Sequence, residues 1–244
     1  MSTRLTGAEP EIDRSRERRS VSQWWIVVAG MVAGAIVIWA FLVGLGRLVA
    51  IYWTPSRFGR ADGDLVEYLE TQRTPAGQTI SLGVVLLADT ISVVALTGVI
   101  VVGLYLAVRR WAEPLFLAAC VIGETLIFTA TTAVVDRERP PVAHLDISPP
   151  TSGFPSGHTA AALCLYGGIA LLGGVLVKRR AHRRLLWTVA IVVPLAVAAG
   201  RLYRGMHFPS DVAAGILLGV LWLAWMTRIY PLGKDGARAA TAWA

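Results

Sequence analysis

Long apolar stretches alternate with short polar segments along most of this 244-residue chain. Six of the stretches are close to the ~20 residues that a helix needs to cross a bilayer. They cover residues 24–46, 80–108, 114–135, 159–177, 185–203 and 212–229. The pattern predicts an all-α integral membrane bundle of six transmembrane helices, with interfacial residues completing the last two spans.

The composition supports a membrane protein with one domain. Hydrophobic residues make up 55% of the chain and charged residues 16%, and the mean hydropathy is +0.58, above the range of ordinary soluble domains. The sequence shows no internal repeat, and its composition does not change along the chain in a way that marks a second domain. We therefore expect a disordered cytoplasmic tail over 1–22, a six-helix membrane domain over 23–230 and a cytoplasmic C-terminal tail over 231–244.

Two features of the apolar runs exclude simpler interpretations. The first run is too long for a typical signal peptide and lacks an obvious cleavage site, so we expect it to remain as a helix. Cys120 and Cys164 both fall inside apolar runs, which argues against a disulfide framework. Two cysteines are also too few for a structural zinc site.

The distribution of Lys and Arg predicts the orientation. The segments predicted to share the membrane side of the N-terminus hold 15 of these residues, and the segments on the opposite side of the membrane hold 8. Because positive charge is enriched in cytoplasmic loops, both termini should be cytoplasmic. The net charge of +7 is spread over alternating loops rather than one face, so no nucleic-acid partner is expected.

Three polar islands, at 136–140, 154–158 and 201–211, border the apolar runs on the predicted extracytoplasmic side. In the third, His207 and Asp211 are four residues apart, on one face if the segment is helical. A carboxylate beside one imidazole nitrogen fixes the tautomer and leaves the other nitrogen as a nucleophile. The alternative is an interfacial histidine followed by an aspartate that caps the next helix.

The second island offers an anion site at the start of a helix. Ser156 and Gly157 would present backbone N–H groups and a hydroxyl to an anion, and glycine would let a phosphate approach the backbone. His158 follows, where it can give a proton to a leaving oxygen. The alternative is a plain turn into the helix.

Arginines complete the predicted site. The planar guanidinium holds phosphate oxygens through paired hydrogen bonds and stays charged, and Arg139 and Arg201 are the candidates. For each, the alternative is an interfacial arginine that reaches lipid headgroups. Arg137 and Arg204 fit that alternative better.

These islands resemble the three signature motifs of the type 2 phosphatidic acid phosphatase family. Arg139-Pro140 matches the end of the first motif, residues 155–158 match the second motif PSGH, and Arg201, His207 and Asp211 match the third at its spacing. Two positions depart from the family. Thr132 stands in place of a lysine, and Gly200 in place of a serine.

The resemblance implies a membrane lipid phosphatase that needs neither metal nor cofactor. In that family's chemistry, His207 forms a phosphohistidine, Asp211 stabilises its imidazolium and His158 protonates the leaving oxygen. The phosphate would be held by Arg139, Ser156, Gly157 and Arg201. The substrate would be a lipid phosphate in the bilayer, such as a polyprenyl diphosphate (which we favour), phosphatidic acid or phosphatidylglycerol phosphate. The oligomeric state stays open.

Other functions remain possible at this point. A lipid phosphotransferase would use the same residues, and a vanadate-dependent haloperoxidase shares related motifs but is typically soluble. A transporter would use Asp89 and Glu124, two acids at similar depth inside apolar runs, as a proton relay. We favour isolated acids bonded to a Thr or a carbonyl, although they could also support the floor of the pocket.

The first outer loop, 54–79, contains a short amphipathic pattern formed by Leu65, Val66, Tyr68 and Leu69. It predicts either a helix on the outer leaflet that guides lipid to the site or a solvated connection.

Overall fold

Helices account for the architecture of this computed structural model, which describes residues 9–147, 150–230 and 232. In these residues the chain has no β-strand and forms eight α-helices. They are α1 (Glu9–Leu48, extended by a π-helical turn Val49–Trp53), α2 (Arg57–Thr71), α3 (Pro75–Leu86), α4 (Thr90–Val108), α5 (Ala112–Thr132), α6 (Gly157–Leu176), α7 (Arg180–Tyr203) and α8 (Pro209–Ile229).

Six of the described helices are long and apolar enough to cross a membrane. They are the Trp24–Trp53 part of α1 with its π-helical turn, and α4 to α8. The predicted all-α fold with six spans is therefore confirmed. Of the predicted tails, 231–244 lies outside the described residues except for Leu232. In the other tail the described residues start at Glu9, where α1 begins. Glu and Arg are good helix formers despite their polarity, and the cytoplasmic location of this tail stays a prediction.

The predicted second span, 80–108, is wrong in its first part because the chain breaks at Asp89. This residue has an extended backbone and caps α4, where its carboxylate accepts a hydrogen bond from the Ile91 N–H at 3.1 Å. The preceding helix α3 has only 12 residues, or ~18 Å, too short to cross a bilayer. The second span is therefore α4 alone.

The two acids in apolar runs consequently differ in depth. Asp89 lies at the end of α4, whereas Glu124 lies eight residues, or ~12 Å, inside the neighbouring end of α5. Glu124 is 1% exposed and is paired with the Thr125 hydroxyl at 3.4 Å. This matches the expectation of an acid bonded to a Thr, and the depth difference removes the basis for a relay between the two carboxyl groups.

Glycines on α1 and α5 let tryptophans of α8 pack closely. Trp222 is 1% exposed and donates from Nε1 to the Cys120 carbonyl at 2.9 Å. A Cβ at Gly123 would lie 2.2 Å from its ring. Trp225 donates to the Gly30 carbonyl at 2.9 Å. Because each indole N–H finds a carbonyl, Trp222 is buried and Trp225 is partly buried without an unpaired donor. Cys120 and Cys164 are free and buried.

Helix α2 forms where the amphipathic pattern lies in the first outer loop. Ser56 caps it by accepting hydrogen bonds from the N–H groups of Phe58 and Gly59. One face buries Val66 and Asp62 against the bundle, while Tyr68 on another face is 59% exposed. The Asp62 carboxylate accepts a hydrogen bond from Trp53 Nε1 at 3.1 Å. The predicted helix is present, and its role in guiding lipid stays a prediction.

Candidate active site

All the predicted site residues lie at one end of the bundle, on or beside two connections. The first is residues 133–156, between α5 and α6, and the second is residues 204–208, between α7 and α8. Hydrogen bonds join them. The Leu145 N–H donates to the Arg204 carbonyl at 3.1 Å, and the Ser156 N–H donates to the Asp211 carbonyl at 3.0 Å. Polar islands that are distant in sequence are therefore held together by backbone hydrogen bonds.

The second connection turns at Gly205, which has a φ of +74°. This left-handed conformation costs little only for glycine. A Cβ at this position would also lie 2.7 Å from both the Arg73 guanidinium and Val142. The turn brings His207 back toward the first connection.

His207 is 3% exposed and is held by a backbone carbonyl. Its Nδ1 lies 2.8 Å from the Gly153 oxygen, so Nδ1–H donates there and Nε2 carries the lone pair in the neutral ring. Nε2 makes no hydrogen bond to the described residues. The expectation that Asp211 fixes the tautomer is wrong in this geometry, because its Oδ2 is 3.9 Å from Nδ1. The carbonyl is the closer acceptor.

The surroundings of His207 favour its neutral form. Burial lowers the pKa of this imidazole well below its ordinary value, and the positive charges of Arg201 and Arg139 lower it further. The hydrogen bond to Gly153 raises it only in part, and His158 is also near enough to contribute. The four predicted groups are thus close enough to act on one another's charge.

Arg139 lies on the first connection, and Arg201 lies in the last turn of α7, just before the second. Arg139 donates to the carbonyl of Met206, the residue before His207, at 2.8 Å. Arg201 is 5% exposed and donates to Asp146 at 2.8 Å. Within the described parts of the chain, Nε of both arginines is buried without a hydrogen-bond partner. Buried donors are rarely left unpaired, so these two N–H groups are suited to an anion.

Asp146 is a carboxylate that the sequence did not indicate. Arg201 binds one of its oxygens, and Arg204 binds both through Nε and Nη2, at 2.6–2.9 Å. Burial would raise the pKa of Asp146, but the Arg204 hydrogen bond and the charges of both arginines hold it below its ordinary value. An ionised carboxylate therefore already binds one of the hydrogen-bond donors of the Arg201 guanidinium.

Arg137 and Arg204 do not reach outward to lipid headgroups, contrary to expectation, since they are 6% and 5% exposed. Arg137 forms an ion pair with Asp211 and donates to the Ser210 hydroxyl at 2.9 Å. Asp62 of α2 also binds this hydroxyl and lies 3.6 Å from Arg137. Arg137 finds a buried carboxylate in Asp211 and Arg204 a partly exposed one in Asp146, which makes a buried position possible for each guanidinium.

The second island begins α6 as predicted, and packing gives a further reason for its glycine. A Cβ at Gly157 would lie 2.7 Å from the Phe128 ring, so this position is small because an aromatic side chain packs on it. The Ser156 hydroxyl is 0% exposed and hydrogen-bonds with Thr159 at 3.0 Å. The first N–H groups of α6 are still without helical partners.

The two departures from the family motifs have local explanations. The Thr132 hydroxyl donates to the Thr129 carbonyl at 3.0 Å, within its own helix. Gly200 lets α3 approach α7, since a Cβ there would lie 2.9 Å from Val85. Neither residue supplies the charge or the hydroxyl of the family residue it replaces.

Asp62 and Gly153 gave no local signal in the sequence, because one depends on the docking of α2 and the other acts through its backbone. Arg137 and Asp146 lie in or near the first polar island. Matching their charges with the opposite charges of the third island could have indicated both residues. No group of three or more His, Cys, Asp or Glu side chains suited to a metal ion occurs in the described residues.

The fold and site define a helical membrane protein in which histidines and arginines on and beside two separate connections lie at one end of the bundle. The chain matches the PAP2 superfamily model over residues 80–234. It belongs to this superfamily, which confirms the family resemblance of the motifs.

Curated relatives match parts of the chain. Phosphatidylglycerophosphatase B of Bacillus subtilis is 36% identical over 36% of this chain and 43% of its own length. Undecaprenyl-diphosphatase of Sulfolobus acidocaldarius is 30% identical over 43% of this chain and 53% of its own length. The chain thus spans about half the length of these relatives.

The crystal structure of a transmembrane PAP2-type phosphatidylglycerolphosphate phosphatase from Bacillus subtilis has a similar fold. Its TM-score is 0.69 at 24% sequence identity, over 80% of this chain and 94% of that one. At this identity the comparison supports the architecture alone.

Proposed function

We propose that this chain is a membrane lipid phosphatase that acts through a phosphohistidine. The observation that carries the proposal is the environment of His207. Its Nδ1–H is committed to the Gly153 carbonyl, and the two nearby arginines, Arg139 and Arg201, each keep a buried Nε–H unpaired in the described structure. A nucleophilic nitrogen and two cationic donors suit phosphoryl transfer, in which positioning and charge stabilisation are the main tasks of the protein.

In the first step Nε2 of His207 attacks phosphorus and the bond to the lipid oxygen breaks. His158 gives its proton to that oxygen, which leaves as an alcohol, or as a phosphate when the substrate is a diphosphate. Arg139 and Arg201 offset the charge on the other phosphate oxygens. Asp211, 3.9 Å from Nδ1, stabilises the positive phosphoimidazole without itself accepting the Nδ1 proton.

In the second step water attacks the phosphohistidine. His158, now neutral, takes a proton from the water, the N–P bond breaks and inorganic phosphate leaves. The first N–H groups of α6, near Ser156 and Gly157, supply further donors to the phosphate oxygens. The cycle returns His207 to its neutral form and needs no metal.

The proposed substrates are lipids whose phosphate reaches the membrane surface. The relatives are named for phosphatidylglycerol phosphate and undecaprenyl diphosphate, and phosphatidic acid presents a similar phosphate to the site. Phosphate release from a panel of these lipids in detergent with EDTA tests the proposal. Release that needs His207 and His158 supports it, and release that EDTA abolishes contradicts the metal-free mechanism. Transfer of labelled phosphate to another acceptor, without free phosphate, would identify a phosphotransferase.

The site is proposed to face the extracytoplasmic side, with both termini cytoplasmic, because 15 of the 23 Lys and Arg residues lie on the other side. A cysteine introduced at Tyr68, which is exposed on α2, should react with an impermeant maleimide in intact cells. A cysteine at Arg109, at the other end of the bundle, should react only after lysis. The reverse pattern would invert the topology.

A further inference from the structure

An apolar groove of about 390 Å³ runs along the outside of the bundle. Helix α6 forms its floor at Gly167, while α7 and α8 form its walls with Leu195, Val220 and Ala224 among others. The groove exists because α7 packs mainly on α6 and α3, whereas α8 packs on α6, α1 and α5. The two walls therefore diverge.

A basic pocket adjoins the groove at the end of the bundle remote from His207. Three arginines of the first turns of α7 line it, Arg180, Arg183 and Arg184, together with Thr188. Trp187 and Ile191 line both the pocket and the groove. The two spaces are thus neighbours, bordered by the same two side chains.

The spacing of these residues places them on one face of α7. From Arg180 the positions are i, i+3, i+4, i+7, i+11 and i+15, so this face is cationic, then aromatic, then apolar as far as Leu195. Its length from Arg180 to Leu195 is about 22 Å at ~1.5 Å per residue. This is close to one leaflet including its headgroups, half of ~40–45 Å.

We propose that the pocket and groove bind one anionic phospholipid of the leaflet opposite the His207 site. The phosphodiester would lie between Arg180, Arg183 and Arg184, and an acyl chain would fill the groove beyond Trp187. Charge complementarity identifies the occupant, because the described lining of the basic pocket contains three cations and no acid. Interfacial arginines that only reach lipid headgroups would not require an apolar groove beside them. The adjoining groove therefore favours a bound lipid.

This lipid site is separate from the proposed catalytic site. Arg180 begins α7 and Arg201 lies in its last turn, so the two sites are at opposite ends of a helix of ~36 Å. The lipid would be a permanent constituent of the bundle and not a substrate.

Native mass spectrometry of the purified protein with phosphatidylserine tests the proposal, since a phosphodiester is not a substrate of the proposed chemistry. Wild type should retain phosphatidylserine but not phosphatidylcholine. An Arg180→Gln/Arg184→Gln variant should bind it about 30-fold more weakly, because each arginine near an anionic headgroup contributes roughly fivefold. An Arg109→Gln/Arg228→Gln variant, which loses equal charge at the same end, should bind as wild type does.

A second variant tests the groove. Ala224→Trp should fill it and reduce phosphatidylserine retention, whereas Val99→Trp on the exposed face of α4 should not. His207→Ala should retain the lipid, which places it away from the catalytic end. Equal loss in both charge variants, equal retention of phosphatidylcholine, or displacement of the lipid by inorganic phosphate would overturn the proposal. Phosphatase activity of the Arg180→Gln/Arg184→Gln variant confirms that it is folded.

Discussion

Arg137 and Asp211 form an ion pair inside the protein, 74 residues apart along the chain. Arg137 is 6% exposed and Asp211 is 0% exposed. The second oxygen of Asp211 accepts a hydrogen bond from the Phe208 N–H at 2.8 Å. The carboxylate is thereby held between the first connection and the residue that follows His207. Arg137 therefore positions the carboxylate that stabilises His207 in the proposed mechanism.

We expect Arg137→Gln to destabilise the protein because it leaves the Asp211 charge buried without its partner. Breaking a buried pair from one side costs roughly 3–5 kcal/mol, which thermal unfolding in detergent would detect. Asp211→Asn added to Arg137→Gln should recover much of the loss, since residue 211 then carries no charge and Asp62 keeps its hydrogen bonds from Trp53 and Ser210. Additive losses in the double variant would show that the two residues act independently.

Asp146→Asn is expected to strengthen the binding of inorganic phosphate. In the present geometry the carboxylate shares Arg201 and Arg204 with any incoming anion, and its charge repels that anion. Removing one negative charge at this distance should lower the inhibition constant of phosphate about tenfold. Asp64→Asn, an exposed acid on α2, is the matched control. Weaker inhibition in the Asp146 variant would mean that the carboxylate mainly positions Arg201.

The pH dependence of kcat/KM should reflect the lowered pKa of His207. A nucleophile must be neutral, and this imidazole gains its proton only well below its ordinary value of ~6.5. Activity should therefore not fall through protonation of His207 until the pH is well below 6.5. Arg201→Gln removes one of the charges that lower this pKa and should move the acidic limb to higher pH. Arg57→Gln, at the same end but not among those charges, should leave the limb in place.

Gly157→Ala should reduce both stability and activity because the new methyl group would meet the Phe128 ring at 2.7 Å. If packing is the reason for glycine, Phe128→Leu should partly restore both in the double variant. Thermal unfolding and phosphate release measure the two effects. Recovery of stability without recovery of activity would instead support a direct need for glycine beside the phosphate.

The sequence predicted most of the fold, because a span of ~20 apolar residues has few alternatives to a membrane helix. It failed at Asp89, where the average hydropathy of 80–108 concealed a break. A single aspartate with an extended backbone ends one helix and caps the next. Such a break changes local geometry without changing the mean composition, so a pattern of apolar residues cannot show it.

The predicted site residues came from motifs, and the structure brings them to one end of the bundle. The partners of these residues were harder to predict. Arg137 was interpreted as interfacial because its carboxylate partner lies in another island, and Gly153 contributes only a carbonyl. Contacts across 50 or more residues depend on how two connections pack, which neither spacing nor residue type specifies.

The backbone bonds that join the two connections also concern biosynthesis. Asp211 and the carbonyl that receives the Ser156 N–H belong to the start of α8. A nascent chain whose helix α8 is still in the ribosome or translocon therefore lacks both the Asp211 carboxylate and the carbonyl that binds the second island at Ser156. Under the proposed mechanism, catalytic competence would appear only once α8 has entered the bilayer, so turnover itself reports the insertion of α8.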